Sequence, residues 1–191
     1  MAYRYAHSES KAHLGGNIKE GDYNTFCPNV WTYLVNRFAV RSVLDLGSGR
    51  GYSSAFFKKL GCDTVAVDGL EDNVANALYP TVLHDLESGP VTVNVDLVHC
   101  QEVAEHIKEE YVCNLAKSLA CGKFVLMTHA LPGQEGYHHV NLQPPEYWIK
   151  LLDAYGLHVL YEDTMRVRDI ANKEGAIYVG QTGLVLANRS L

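Results

Sequence analysis

Apolar positions along the chain fall into short runs separated by helix-patterned stretches. Val30, Trp31, Leu34, Val35 and Phe38 recur at helical spacing, and Pro28 stands where a first helical turn tolerates proline. Ser42 to Leu46 reads as a buried strand, and Tyr52 to Leu60 as a helix stopped by Gly61. The alternation continues with a strand at Thr64 to Val67, a helix at Glu71 to Leu78, a short strand at Thr81 to Leu83 and a strand at Asp96 to Cys100. Glu102 to Leu119 reads as helical with a break near Lys108, and Lys123 to Thr128 as a fifth strand. A turn-rich segment, Leu131 to Pro145, precedes a helix at Glu146 to Ala154, a strand at Leu157 to Tyr161 and a final strand at Tyr178 to Ala187. This pattern predicts an α/β fold: a parallel sheet with helices on both faces and a ligand site beyond the carboxyl ends of the strands.

Composition narrows the picture. With 191 residues, 47% of them hydrophobic, the chain is expected to form one globular domain over 1–191, with the polar, glycine-rich residues 1–26 as a mobile arm or lid. The formal charge of −6 argues against a general binder of phosphate backbones. No apolar run reaches the roughly 18 residues a membrane span needs, and MAYRYAHSESKAHLGG has no signal-peptide core. Five cysteines, an odd number with no C-x-x-C, read as reduced thiols; the expected location is cytoplasmic.

The strand ends carry the chemistry. After the first strand, VLDLGSGRG brings Gly47 and Gly49 into a tight turn, with Gly51 letting the next helix pack close. Asp45, two residues before the first glycine, would repel the pyrophosphate of a nicotinamide cofactor. It suits a ligand with a positive amine or sulfonium, and S-adenosylmethionine has both. Asp68, after the second strand, can hold two ribose hydroxyls, with Gly69 and Leu70 beside the adenine. Asp85, in His84-Asp85-Leu86, can accept from an adenine amino group. Asp68 or Asp85 could instead cap a helix or turn; the glycines and both acids in register with three successive strands favour a nucleoside site.

In order and spacing, VLDLGSGRG, VAVDG, HDL and DLVHCQEVAEHI resemble the motifs of the class I S-adenosylmethionine-dependent methyltransferases. The resemblance runs from about Asp22 to Leu186. It implies a Rossmann-like seven-stranded sheet in the order 3-2-1-4-5-7-6, with strand seven antiparallel. It places Asp45, Gly47, Ser48 and Gly49 at the methionine part of the cofactor, Asp68 at the ribose, Asp85 and Leu86 at the adenine, and Gln101 at the methionine end.

QEVAEHI follows the fourth strand. On a helix, Glu102, Glu105 and His106 would share one face, a plausible set for a divalent metal or a simple surface cluster. E-x-x-E-H resembles ubiquinone-pathway O-methyltransferases and small-RNA ribose 2′-O-methyltransferases, which implies a metal there, the RNA enzymes adding a histidine after strand five. This chain offers His129, His138 and His139 in that region, although the flanking sequence matches neither subfamily closely. An alcohol must lose its proton as it attacks the sulfonium methyl, and histidine suits that near neutral pH. His139 ranks first as base, then His138 and His129. Because helical spacing fixes only three metal ligands, the metal-free version is slightly favoured.

The leading expectation is methyl transfer from S-adenosylmethionine to oxygen on a small or sugar-like acceptor. Tyr23 and Phe26 are candidates for an aromatic wall, while Trp31 reads as core. Alternatives are an RNA-end ribose 2′-O-methyltransferase and a non-catalytic nucleoside-binding module. A nicotinamide oxidoreductase is disfavoured by Asp45 and by G-x-G-x-G spacing.

Overall fold

A computed structural model describes residues 4–190. The polar arm is not featureless: β1 (Tyr5–His7) and β2 (Gly15–Ile18) pair as an antiparallel hairpin. Helix α1 (Pro28–Arg37) follows, then β3 (Ser42–Leu46), α2 (Tyr52–Lys59), β4 (Asp63–Asp68), α3 (Glu71–Ala75), β5 (Thr81–Leu83) and β6 (Val95–Cys100). After two 3-10 turns come α4 (Val112–Leu119), β7 (Gly122–Met127), α5 (Pro145–Asp153), β8 (Leu157–Val159), α6 (Tyr161–Glu174), α7 (Ile177–Thr182) and β9 (Leu184–Asn188).

Seven strands form one sheet in the order β5-β4-β3-β6-β7-β9-β8, and β9 runs antiparallel to both its neighbours. This is the expected 3-2-1-4-5-7-6 arrangement. Side-chain alternation sends Leu44, Val98, Val125 and Leu186 to the face covered by α4 and α5, with Leu115 and Trp148. Val43, Leu97, Leu126 and Val185 face α1, α2 and α6, with Trp31, Phe57 and Val167. Each fully buried leucine or phenylalanine there contributes about 1.5–3 kcal/mol.

Several expectations give way to tertiary contacts. The helix α6 is absent from the sequence reading because its inward stripe, Asp163, Thr164, Val167 and Ala171, is half polar. The polar half is satisfied by α1: Tyr33 Oη and Arg37 Nε donate to Asp163 Oδ1 at 2.6 and 2.9 Å. At its other end, Glu174 accepts from the Asn29 and Val30 amides that open α1. The expected final strand Tyr178 to Ala187 is two elements, because only Leu184–Asn188 can lie in register between β7 and β8. Likewise β8 stops at Val159, and α3 ends at Ala75.

The largest departure is at Glu102 to Lys108, which is not a helix that puts three ligands on one face. Glu102 adopts φ 54°, and Ala104–His106 forms only a 3-10 turn. The Glu105 carbonyl accepts the Val140 and Asn141 amides at 2.9 and 3.1 Å, so it is spent on the chain after β7.

His129 follows β7 and is 1% exposed, with its ring 6.1 Å from that of Trp148. It does not line the large cavity described below, and neither does His138. Burial pushes the His129 imidazole down to about 4, against about 6.5 in an unfolded chain. The unfolded state therefore binds a proton that the native state refuses, and stability falls as pH drops from about 6.5 to about 4. Urea unfolding should show His129→Gln losing less stability than the parent over that window, by an amount on the order of 3 kcal/mol at most. Asp163→Ala should lower stability by about 2 kcal/mol, since two donors lose a charged acceptor. The same unfolding series measures it.

Candidate functional site

Beyond the carboxyl ends of β3, β4 and β6 lies a cavity of about 910 Å³, with residues of the β1–β2 hairpin across it. Of the expected site residues, Asp45, Gly47, Ser48, Gly49, Asp68, Gly69, Asp85, Leu86, Gln101, Glu102, Glu105, His106 and His139 all line it. Gly51 stands just outside as the left-handed residue that opens α2.

The glycine turn is tight for reasons visible in its contacts. The Gly47 and Ser48 amides both donate to Val67 O at 2.9 Å, tying the turn to β4. Gly47 has φ 71°, and a Cβ there would run into Val103. The Gly49 amide donates to Asp68 Oδ2 at 2.8 Å. Asp68 Oδ1 accepts from the Leu70 amide and from Asn73 Nδ2. Burial nonetheless pushes this carboxyl above its ordinary range.

Asp45 is 1% exposed and fully engaged. Parallel register sets it beside His99, whose Nδ1 donates to Asp45 Oδ1 at 2.7 Å. Ser53 and Ser54 hydroxyls donate to Oδ2. Burial alone would push the carboxyl up; His99 and the two hydroxyls outweigh it and hold it below the usual carboxylate range. Trp31 Nε1 donates to His99 Nε2 at 3.0 Å, and the Gln101 amide head lies 2.5 Å from the same nitrogen. Sequence reasoning missed His99 and gave Trp31 a packing role. The available signal was a histidine inside an apolar strand, two residues before the functional strand end.

The hairpin reaches the opposite side of the cavity. Lys11 Nζ and His13 Nε2 contact Asp85 at 2.8 and 2.9 Å, so both Asp85 oxygens are committed to the arm. Asn17 and Asn73 exchange amide hydrogen bonds of 3.0 and 3.2 Å, which links the arm to Asp68 through Asn73. None of these arm residues was singled out beforehand, because polar residues in a glycine-rich stretch carry no pattern of their own.

The third cluster forms where the chain after β6 meets the chain after β7. Glu105, His106 and His139 each offer one ligand atom, and these atoms lie within 4.8 Å of one another. Glu105 is fully buried with neither carboxylate oxygen hydrogen-bonded, and His106 Nδ1 is also without a partner. Burial, with Glu102 nearby, pushes Glu105 well above the ordinary carboxyl range. Burial lowers His106 to about 4, which keeps its imidazole neutral at physiological pH. Glu102 Oε1 accepts from Thr128 Oγ1 at 2.7 Å, and the Glu102 carboxyl also lies against that of Glu105. The backbone bonds from Val140 and Asn141 to the Glu105 carbonyl bring His139 to Glu105 and His106, a neighbour that helical spacing does not supply.

The family model for the methyltransferase domain matches residues 44–127, from within β3 to the end of β7. A search of curated protein sequences finds no significant match. Among solved structures, an S-adenosylmethionine-dependent methyltransferase from Archaeoglobus fulgidus has a TM-score of 0.61 at 17% identity, over 88% of this chain and 95% of that one. A sugar N-methyltransferase from Streptoalloteichus sp. has a TM-score of 0.63 at 15% identity, over 88% of each chain. Magnesium protoporphyrin IX methyltransferase from Synechocystis, with S-adenosylmethionine bound, has a TM-score of 0.59 at 17% identity, over 84% of this chain and 76% of that one. The family model spans the strands that carry the glycine turn and the acidic strand ends, and the strand order is that of the Rossmann-like methyltransferase fold.

Proposed function

We propose that this methyltransferase transfers its methyl group to an oxygen of a small acceptor bound between the hairpin and the chain after β7. The observation that carries this reading is the buried, unpartnered Glu105 carboxylate beside His106 and His139, at the cavity end of β6. A group at that point can orient a hydroxyl and receive its proton as the methyl is displaced in line.

In this reading the cofactor lies along the strand ends. Asp68 takes the ribose hydroxyls, Gly69 and Leu86 face the adenine, and the Gly47–Gly49 turn with Gln101 holds the methionine end. Asp45 acts from beneath: its bonds to His99, Ser53 and Ser54 keep the start of α2 and Gln101 in place. Lys11 and His13 spend Asp85 on latching the arm, so its role moves from adenine recognition to holding the lid. The lid would exclude water once cofactor and acceptor are bound.

The Glu105–His106–His139 set fits a divalent cation: one carboxylate and two imidazoles, one of them neutral, with orphaned ligand atoms in a buried position. Such an ion would lower the pKa of the acceptor hydroxyl and hold its oxygen in place. His139 is the residue of choice for the proton when no ion is bound. A ribose at an RNA end fits less well, because no lysine and only one arginine, Arg50, line the cavity among the described residues.

Calorimetry should show S-adenosylhomocysteine binding at micromolar level, about −8 kcal/mol, and no binding of NAD. Asp68→Ala should weaken that binding by at least about tenfold, through loss of charge-assisted bonds worth about 1.5–3 kcal/mol each. Unchanged affinity would remove Asp68 from the ribose site. Chelation should abolish methyl transfer and Mg²⁺, Mn²⁺ or Zn²⁺ restore it, while Glu105→Ala loses activity and keeps cofactor affinity. If activity survives chelation and His139→Ala costs about 10²–10⁴ in rate, histidine acts alone.

A further inference from the structure

The wall facing Glu105 is strongly one-sided in charge. Asp22, Glu102 and Glu105 lie near one another in the cavity lining, Glu135 also lines it, and no lysine does among the described residues. The lone arginine, Arg50, is engaged by Asp72 at 3.1 Å. Asp22 accepts the Asn24 amide at 2.8 Å, and Glu102 accepts the Thr128 hydroxyl. Neither bond supplies a positive charge. Glu105 is fully buried with its carboxyl against that of Glu102, and no lysine or arginine of the protein pairs with either acid among the described residues. A divalent ion on Glu105 would still leave Asp22 and Glu102 without a cation.

The same wall is aromatic. Tyr5, Tyr23, Phe26, Tyr137 and Tyr178 line the cavity. Tyr178 comes from α7, the segment expected to be strand, and its phenol is pushed up by burial and by the nearby Asp22 and Glu102. Carboxylates interleaved with phenol rings form a surface that favours an organic cation, through ion pairing at the acids and cation–π attraction at the ring faces. An anionic acceptor would be repelled by Asp22, with no lysine in the lining and the one arginine engaged by Asp72.

We propose that the acceptor carries an ammonium group, seated between Asp22, Glu102 and the rings of Tyr5 and Tyr178, while its reacting oxygen faces Glu105 and His139. This rests on the methyl-transfer reading for which end of the cavity takes the acceptor. It commits to the charge of the substrate: amino alcohols, aminophenols and amino sugars belong to the class, whereas phosphorylated and carboxylated acceptors do not.

Tyramine, tyrosol and 4-hydroxyphenylacetate share a phenol and differ in carrying a positive, neutral or negative end, so they isolate this term. Titrated calorimetrically into enzyme loaded with S-adenosylhomocysteine, tyramine should bind about tenfold more tightly than tyrosol, and the acid most weakly. Asp22→Asn keeps an oxygen for the Asn24 amide. It should shrink the tyramine preference to about threefold or less while leaving S-adenosylhomocysteine affinity unchanged. Equal binding of the three, no binding of tyramine, or an undiminished preference in Asp22→Asn overturns the proposal and leaves the methyl-transfer reading standing. Failure of the unsubstituted enzyme to bind S-adenosylhomocysteine overturns the methyl-transfer reading, and this proposal with it.

Discussion

The site is built around one buried carboxylate. Asp45 sits at the cavity end of β3, withdrawn from water, where an unpaired charge would be intolerable. Its neighbours are there to satisfy it: His99 across the parallel register, Ser53 and Ser54 from the first turn of α2. Those partners determine what surrounds them. His99 in turn engages Trp31 of α1 and Gln101 at the end of β6, so one charge ties two helices and two strands to the floor of the cavity. Removing a single member would leave polar atoms stranded, which makes the floor rigid as a unit.

The walls follow different physics. The chain leaving β6 gives up helix at Glu102, where a side chain adopts a left-handed backbone. What it gains is access: the Glu105 carbonyl reaches the chain after β7, and His139 arrives beside Glu105 and His106. The positive-φ residue Glu102 and the buried Glu105 carboxyl occur together in the lining of the cavity.

The arm completes the enclosure. Lys11 and His13 on Asp85 and the Asn17–Asn73 pair are polar contacts, of which only Lys11 is well exposed. These contacts lie apart from the two apolar layers on either side of the sheet.

Much of this was legible in the sequence alone. The period of apolar residues, the glycines of the first turn, and acids after successive strands define the sheet and its cofactor side, because these depend on local backbone rules and on neighbours close in sequence. The helix α6 was hidden because Asp163 and Thr164 occupy its inward stripe, and they become acceptable there only once Tyr33, Arg37 and the β9 backbone answer them. The final apolar run was split into α7 and β9 by the register of an antiparallel insertion, which no window of sequence contains. The grouping of His139 with Glu105, the loss of His129 to the core, and the pairing of Asp45 with His99 were likewise decided by tertiary structure. Each joins residues distant in sequence, and only the folded sheet sets which of them come together.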